Sequence, residues 1–379
     1  MQILTVDIGT GTQDIYLFRS GLSLENGYKL VMPSPTMLIR SRIQAATRRG
    51  EDLLLTGVTV GGGPCAWAAE AHLRSGARVY ATADAARTFN DDLDWVHNEM
   101  GVEIVSEDET ARLRDVTAIR LREFDLQVIA TAFGAFDLAL DPAAVAIAVF
   151  DHGAAPPDES DRSFRFRYLA DRIRERNSLT AFAFPSARVP AFLTRMQAIV
   201  ASASDLACPV VVMDTAPAAV LGATLDPRVA APARKLVANI GNFHALAFRL
   251  GPGGIEAMFE HHTGLLDVAR LDALLTALAD GSLTNTAVFD SMGHGAIVFD
   301  PEPLGIDQAE FGVAVTGPRR SMLRDSRLRP LFAAPHGDMM IAGCLGLLLG
   351  VAELHPELAE PILAAFAGAG QDAAPWDVE

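Results

Sequence analysis

The N-terminal segment of this chain constrains its fold more than any other stretch. A short apolar run at residues 3–6 leads into residues 7–14, which read DIGTGTQD, and residues 16–18 are apolar again. This order predicts a hairpin whose tip is rich in glycine and hydroxyl groups. Backbone N–H groups exposed in such a tip form an anion-binding nest. Asp7 stands where it could hold a metal-bound water, although an ordinary glycine hairpin with an acidic flank would look the same.

Length and charge limit the class of protein. At 379 residues the chain can form two domains or one two-lobed domain, and with 50% hydrophobic residues it can bury sizeable cores. The formal net charge of −16 argues against nucleic acid as a partner, because a phosphate backbone is bound by clustered Lys and Arg. Any anionic ligand must therefore be held by a local site.

The cysteines and the longest apolar stretch indicate the cellular compartment in which we expect the protein. Cys65, Cys208 and Cys344 are widely separated and form no Cys-x-x-Cys pair, which disfavours a zinc ribbon or an iron–sulfur cluster supplied by this chain alone. Isolated thiols are typical of a reducing compartment, so we expect a cytoplasmic protein. No secretory signal is visible at the N-terminus. The uncharged stretch 339–352 is too short to span a bilayer, so we expect no membrane association and predict a buried helix there.

Strands and helices alternate along the chain, and a glycine-tipped hairpin occurs in each half. The second hairpin is predicted at residues 235–240 and 245–250, around Gly241 and Asn242, and residues 145–150 read as a buried central strand. This pattern predicts a duplicated α/β architecture with a cleft between two lobes. We assign residues 1–205 to the N-terminal lobe and 206–379 to the C-terminal lobe, whose last helix can pack back on the first.

Three further segments accompany the first hairpin. Residues 213–222 join an apolar strand to a helix of small residues, residues 237–244 form the second hairpin tip, and residues 313–322 combine a strand, a glycine turn and a basic pair. In this order the four segments resemble the actin-like ATPase superfamily, which includes sugar kinases, heat-shock chaperones, exopolyphosphatases and actin. The resemblance implies a two-lobed actin-like ATPase fold, a duplicated ribonuclease H-like fold with a central cleft for ATP and Mg²⁺.

The resemblance also implies a role for each matching residue. Asp7 would hold Mg²⁺ through water, and Asp214 would position Mg²⁺ or the attacking water. The adenosine motif would be Gly317, Pro318 and Arg319, whose guanidinium can stack on adenine. The residues implied to form the two phosphate loops are Gly9, Thr10, Gly11, Thr12, Asn239, Gly241, Asn242 and His244.

Two departures accompany the resemblance. Asn239 stands where the second phosphate loop usually begins with aspartate, and an amide cannot act as a base, so nucleotide binding is better supported than hydrolysis. At closer range, residues 60–64, 150–153, 213–222, 239–244 and 316–320 resemble those of a prokaryotic family labelled pyruvate formate-lyase activating enzyme. Such activators hold a radical S-adenosylmethionine cluster with three closely spaced cysteines, which this sequence lacks. We therefore expect that it is not a radical S-adenosylmethionine enzyme.

Several histidines stand beside glycine or acidic residues, where they could reach into a cleft. Imidazole can serve as a base, as a hydrogen-bond donor to phosphate or as a metal ligand. Each could equally be a capping or core histidine with satisfied hydrogen bonds. We expect at least two of them to meet in the cleft, near Asp151 and Glu260, where a second metal could bind. The candidates are His152, His244, His262, His294 and His336, of which His262, His294 and His336 are the possible metal ligands.

Three functions are consistent with these observations. The first is a Mg-ATP-dependent phosphotransferase (kinase) or ATPase acting on a small molecule, in which Asp7 and Asp214 hold magnesium and Asp151, His152 or His244 acts on the acceptor. The second is an ATP-driven activator or reactivase of a client enzyme. The third keeps the fold without ATP and binds a metal or an anionic metabolite through the histidines. A homodimer is an open alternative for the assembly.

Overall fold

The computed structural model describes residues 1–370 and 374–376. Its strands are β1 (Gln2–Ile8), β2 (Thr12–Arg19), β3 (Tyr28–Pro33), β4 (Asp52–Gly57), β5 (Val79–Ala81), β6 (Glu103–Ile104), β7 (Val116–Leu121), β8 (Ala144–Val149), β9 (Ala183–Pro185), β10 (Val210–Asp214), β11 (Lys235–Ile240), β12 (His244–Gly251), β13 (Gly254–His262), β14 (Gly295–Val298), β15 (Val313–Thr316) and β16 (Pro330–Phe332). Its longer helices are α1 (Pro35–Arg49), α2 (Pro64–Arg74), α3 (Leu126–Gly134), α4 (Asp161–Glu175), α5 (Thr194–Ser202), α6 (Thr215–Ala223), α7 (Val268–Ala279), α8 (Ala342–Leu354) and α9 (Pro356–Phe366). Short α-helical turns lie at Ala83–Ala86, Leu93–Trp95, Glu107–Thr110, Pro227–Ala230 and Asn285–Phe289.

Five strands of each large sheet share one topology, and β9 and β14 are additional antiparallel edge strands. The first has the order β3-β2-β1-β8-β10-β9, in which β1, β2 and β3 are antiparallel and β8 and β10 continue parallel to β1. The second has the order β14-β13-β12-β11-β15-β16, in which β11, β12 and β13 are antiparallel and β15 and β16 run parallel to β11. A meander whose first strand pairs with parallel strands is the ribonuclease H-like order. Its duplication confirms the predicted two-lobed actin-like fold.

The first lobe extends past residue 205, where the sequence suggested that it ends. β10 follows that position, yet it pairs with β8 in the first sheet. The closing helices α8 and α9 also pack on this sheet, burying Leu345, Val351 and Ile362 against it. A division after residue 205 would cut the sheet between two neighbouring strands, so the first lobe includes β10 and the C-terminal helices.

A third, smaller sheet is inserted between β3 and β8. Its strands are parallel in the order β6-β5-β4-β7, and its own core includes Leu53, Leu55, Val79 and Ile119. The loop that joins β4 to α2 carries the triple glycine at residues 61–63. This insertion places that loop beside the cleft between the lobes.

The first sheet is covered on both faces. Ile3 points into the core under α8 and α9, whereas Leu4 and Val6 point into the opposite core with α3 and α5, because successive strand side chains alternate between faces. All of β8 is buried, which confirms the predicted central strand at 145–150. The predicted helix within 339–352 is α8, and it too is largely buried. Among the described residues we find no helix with both the length and the apolar character needed to cross a membrane.

Helices α6 and α8 cross with their backbones in contact. A Cβ atom on Gly222 would overlap the carbonyl oxygen of Ala342, and one on Gly346 would overlap the carbonyl oxygen of Ala218. The two glycines are therefore needed for this close approach. Because α6 begins at the floor of the cleft and α8 begins beside it, the crossing fixes both helix starts.

We predict that Gly346→Ala destabilises the protein by about 1–3 kcal/mol, since the added methyl group forces two backbones apart. Gly350→Ala in the same helix is the matched control, because its Cβ would lie at an ordinary 3.5 Å from the Cβ of Ala183. Alanine favours helix, so the control should retain or raise the thermal midpoint. Thermal unfolding followed by circular dichroism distinguishes them, and equal midpoints for the two variants would contradict the backbone contact.

Candidate functional site

The tips of the two equivalent hairpins face one another across a cleft between the lobes. Each tip is closed in the same way: the N–H of Gly9 donates to the carbonyl of Thr12, and the N–H of Gly241 donates to the carbonyl of His244, both at 2.9 Å. A Cβ on Gly11 would come within 2.8 Å of Nδ2 of Asn242, so the tips nearly touch. The predicted residues that line this cleft are Asp7, Gly9, Thr10, Gly11, Thr12, Asn239, Gly241, Asn242, His244, Gly317 and Pro318.

Asp7 lies at the floor of the cleft, at the end of β1. Its Oδ1 accepts a 2.6 Å hydrogen bond from the hydroxyl of Thr215, and Gly343 near the start of α8 leaves room for its other oxygen. Burial raises the pKa of Asp7 to about 7; the Thr215 hydrogen bond opposes this shift, and the negative charge of Asp214 adds to it. Near neutral pH this carboxyl group therefore exchanges a proton readily.

Asp214, expected to hold magnesium, does not line the cleft among the described residues. Its Oδ2 accepts a 2.7 Å hydrogen bond from the buried guanidinium of Arg165, and its Oδ1 accepts from the N–H of Ala216 at the start of α6. Arg165 also binds Glu260 of the second lobe at 3.0 Å. The Asp214 carboxylate thus belongs to a buried ion triad with Arg165 and Glu260. The next residue, Thr215, contacts Asp7 instead.

Residues 317–319, the predicted adenosine motif, pack against the second hairpin. Gly317 has a φ of +97°, and a Cβ there would overlap Oδ1 of Asn239 and lie 2.6 Å from the carbonyl oxygen of Ile240. Gly317 and Pro318 line the cleft together with Met339 and Met340. Arg319 donates its backbone N–H to Ile240 at 3.0 Å, but in the described part of the chain its side chain is outside the lining.

A second pocket adjoins the cleft, and both are lined by Thr10, Phe150, Arg195, Phe243 and His244. The triple-glycine loop at residues 61–63 forms its other side. Arg195 donates to the carbonyl of Phe150 at 2.8 Å and pairs with buried Glu123.

Asp151 is also in the second pocket, but its carboxylate is used within the protein. Its two oxygens accept hydrogen bonds from the N–H groups of Gly153 (2.9 Å) and Met196 (2.8 Å). Burial raises the pKa of Asp151 to about 6, against the lowering effect of these hydrogen bonds. The group therefore anchors the loop after β8 to the start of α5.

Four of the five candidate histidines meet where the lobes join. The ligating nitrogens of His152, His244 and His294 lie within 4.8 Å of one another, and the ring of His262 is 4.7 Å from that of His294. Burial is the main cause that lowers the pKa of each of these four rings, so all are uncharged at neutral pH. His336 lies elsewhere, with its Nδ1 3.3 Å from Glu25.

Sequence reasoning missed several contributors to the site. Thr215 follows Asp214 at the junction of β10 and α6, and this position between strand and helix could have indicated that its hydroxyl group faces the cleft. Arg165 and Glu260 are separated by 95 residues, and nothing in their local sequence indicates the pair. The two methionines at 339 and 340 stand in the apolar stretch that was assigned to a helix, but they precede α8 and line the cleft.

Comparisons with known proteins gave several solved structures and one protein family. The fold is similar to that of the activator of the 2-hydroxyisocaproyl-CoA dehydratase from Clostridium difficile with bound ADPNP (8% identity, TM-score 0.32, 98% of this chain and 96% of that chain). It is also similar to the ROK hexokinase from Thermus thermophilus (13% identity, TM-score 0.27, 93% and 100%) and to an exopolyphosphatase-like protein (10% identity, TM-score 0.20, 97% and 91%). No curated protein matches the chain at a significant level.

One protein family matches most of the chain. Residues 60–322 match DUF1786, which is described as "Putative pyruvate format-lyase activating enzyme". The activity in that description would call for three cysteines close together, whereas Cys65, Cys208 and Cys344 pack in three different hydrophobic cores. The match itself extends from the triple-glycine loop through the second hairpin to the adenosine motif. This two-lobed chain therefore belongs to the DUF1786 family.

Proposed function

We propose that this protein binds a nucleoside triphosphate with Mg²⁺ in the cleft and transfers the terminal phosphoryl group to a small molecule in the adjoining pocket, or to water. The observation that carries the proposal is the pair of equivalent hairpin tips, each closed by the same backbone hydrogen bond, above the carboxyl group of Asp7. Phosphoryl transfer needs positioning and charge neutralisation more than covalent chemistry by the protein. Two opposed nests of N–H groups over an acid supply both.

The acids at the cleft floor fit a magnesium ion. Asp7 and Asp14 are cross-strand partners in the first hairpin, and both are buried. Within the described structure, Oδ1 of Asp14 is buried without a hydrogen-bond partner. Burial and the charge of Asp7 raise the pKa of Asp14 to about 8. Two such carboxyls are stabilised by a hard cation that takes oxygen ligands, and Mg²⁺ is of that kind. When bound, Mg²⁺ would neutralise phosphate charge.

The residues of the chain divide the remaining work between them. Thr10, Thr12 and Asn242 can donate side-chain hydrogen bonds to phosphate oxygens, beside the backbone N–H groups of the tips. The nucleoside would lie along Gly317 and Pro318, against the two methionines. Asp214 then has an indirect role: its carboxylate binds Arg165 and the N–H group at the start of α6, and it does not bind the cation.

The acceptor would occupy the second pocket. Arg195 lines both cavities, so its guanidinium can bridge the transferred phosphoryl group and an anionic acceptor. The uncharged rings of His152 and His244 stand beside it and offer lone pairs, to a proton of the acceptor or to a cation. Asn239 lines the cleft next to the adenosine motif, and its amide is suited to hydrogen bonding and not to taking a proton.

We predict that Asp7→Asn weakens Mg²⁺-dependent ATP binding by about tenfold or more, equivalent to about 1.4 kcal/mol, because the cation loses its charged partner. Isothermal titration calorimetry of metal-stripped protein, with and without Mg²⁺, measures this. Asp141→Asn is the control, since Asp141 is an exposed acid before β8, at the opposite end of that strand from the cleft. Absence of ATP binding by the unaltered protein, or equal affinity in Asp7→Asn, would contradict the proposal.

A second prediction concerns pH. The pKa of Asp14 is raised in the folded state, so its contribution to stability is present below the unfolded pKa near 3.9 and is lost as pH rises toward 8. Asp14→Asn does not titrate. In a metal chelator, its stability relative to the unaltered protein should therefore rise by more than about 1 kcal/mol between pH 5 and pH 8. Urea unfolding at several pH values tests this, and a constant difference would show that Asp14 is ionised throughout.

A further inference from the structure

We propose that His152, His244 and His294 bind one divalent transition-metal ion at the junction of the two lobes. His152 follows β8 of the first lobe, whereas His244 begins β12 and His294 precedes β14 in the second. The first lobe therefore supplies one of the three ligands, and the second lobe supplies the other two. This inference does not depend on the proposed nucleotide site.

The spacing of the rings suits a small ion. Their ligating nitrogens lie within 4.8 Å of one another. Tetrahedral metal–nitrogen bonds of about 2.0–2.1 Å place two ligands about 3.4 Å apart, so small rotations of the imidazoles complete the site. His262 is the cross-strand partner of His244, with its ring 5.1 Å away, and can supply a fourth ligand or hold a metal-bound water.

In the described structure, two of the three rings carry buried nitrogens without a hydrogen-bond partner. Across the residues that the structure describes, Nε2 of His244 and both ring nitrogens of His294 are buried and lack hydrogen-bond partners. Buried polar atoms in that state are uncommon in folded proteins without a ligand or a bound water. A neutral imidazole offers one ring nitrogen with a lone pair to a metal.

The surroundings hold the rings in place. Phe150 stacks on His244 with centroids 3.9 Å apart and planes 3° from parallel, and the guanidinium of Arg165 lies 3.8 Å from the Phe150 ring. Oε1 of Glu260 lies 3.5 Å from Nε2 of His294, where it offsets the charge of a cation. Neighbouring carboxylates commonly orient histidine ligands in this way.

The donor set selects the metal. Neutral imidazoles suit Zn²⁺, Fe²⁺, Ni²⁺ or Cu²⁺, whereas Mg²⁺ prefers oxygen ligands, so this site is chemically distinct from the acids at Asp7 and Asp14. Three protein ligands with an open position are typical of catalytic zinc. Since His152 and His244 line the second pocket, the open position would face an acceptor there.

Cobalt titration of the metal-free full-length protein, without nucleotide, tests the proposal. We expect one Co²⁺ per chain, a visible absorption band typical of four- or five-coordinate Co²⁺, displacement by Zn²⁺, and imidazole scattering in the cobalt X-ray absorption spectrum. His294→Ala should lower Co²⁺ affinity by at least about tenfold. His336→Ala, which alters a histidine bonded to Glu25, should leave the affinity unchanged.

The readouts on the unaltered protein remain decisive if His294→Ala fails to fold by circular dichroism. Absence of the cobalt band, or an X-ray absorption spectrum without imidazole ligands, would overturn the proposal. Equal affinity in a folded His294→Ala would do so as well. Because ATP is not used, a negative result here leaves the calorimetric test of the nucleotide site unaffected.

Discussion

The geometry of the cleft and of the histidine cluster depends on the ion pairs made by the buried guanidinium of Arg165. The guanidinium binds Asp214 of the first lobe and Glu260 of the second, and all three side chains are almost fully excluded from solvent. Removing one partner from such a buried ion pair costs about 3–5 kcal/mol, because the other charge is left uncompensated. Arg165 also donates to the carbonyl of Asp151 at 2.7 Å. One side chain thus joins the lobes and fixes the loop after β8.

This triad lies between two groups of candidate metal ligands, the acids of the cleft and the histidine cluster. By taking up Asp214, it leaves Asp7 as the acid at the floor of the cleft, with Thr215 as its hydrogen-bond donor. On its other side, Glu260 stands next to His294, so the same network borders the histidine cluster. In the two sites that we propose, oxygen ligands for a hard cation lie below the hairpin tips and nitrogen ligands for a softer cation lie beside the second pocket.

The sequence predicts the parts of this molecule that local patterns encode. Glycine-tipped hairpins, the apolar strand β8 and the buried helix α8 all follow from periodicity and turn chemistry, and their order indicates the fold. Partner choice among buried charges is different. Asp214 could face either the cleft or Arg165, and only the packing of α4 against the second lobe decides this. The convergence of four histidines likewise depends on how two lobes meet, which no local pattern specifies.

The central claim is that the two hairpin tips hold the phosphates of a nucleotide over Asp7. A crystal structure of the protein with Mg²⁺ and a non-hydrolysable ATP analogue tests this most directly. The account predicts phosphate oxygens within hydrogen-bonding distance of backbone N–H groups in both tips, with the cation on the side of Asp7 and the nucleoside along Gly317. A nucleotide bound elsewhere, or a cleft that stays closed to it while the histidine cluster binds metal, would contradict the account and favour a fold used for metal chemistry alone.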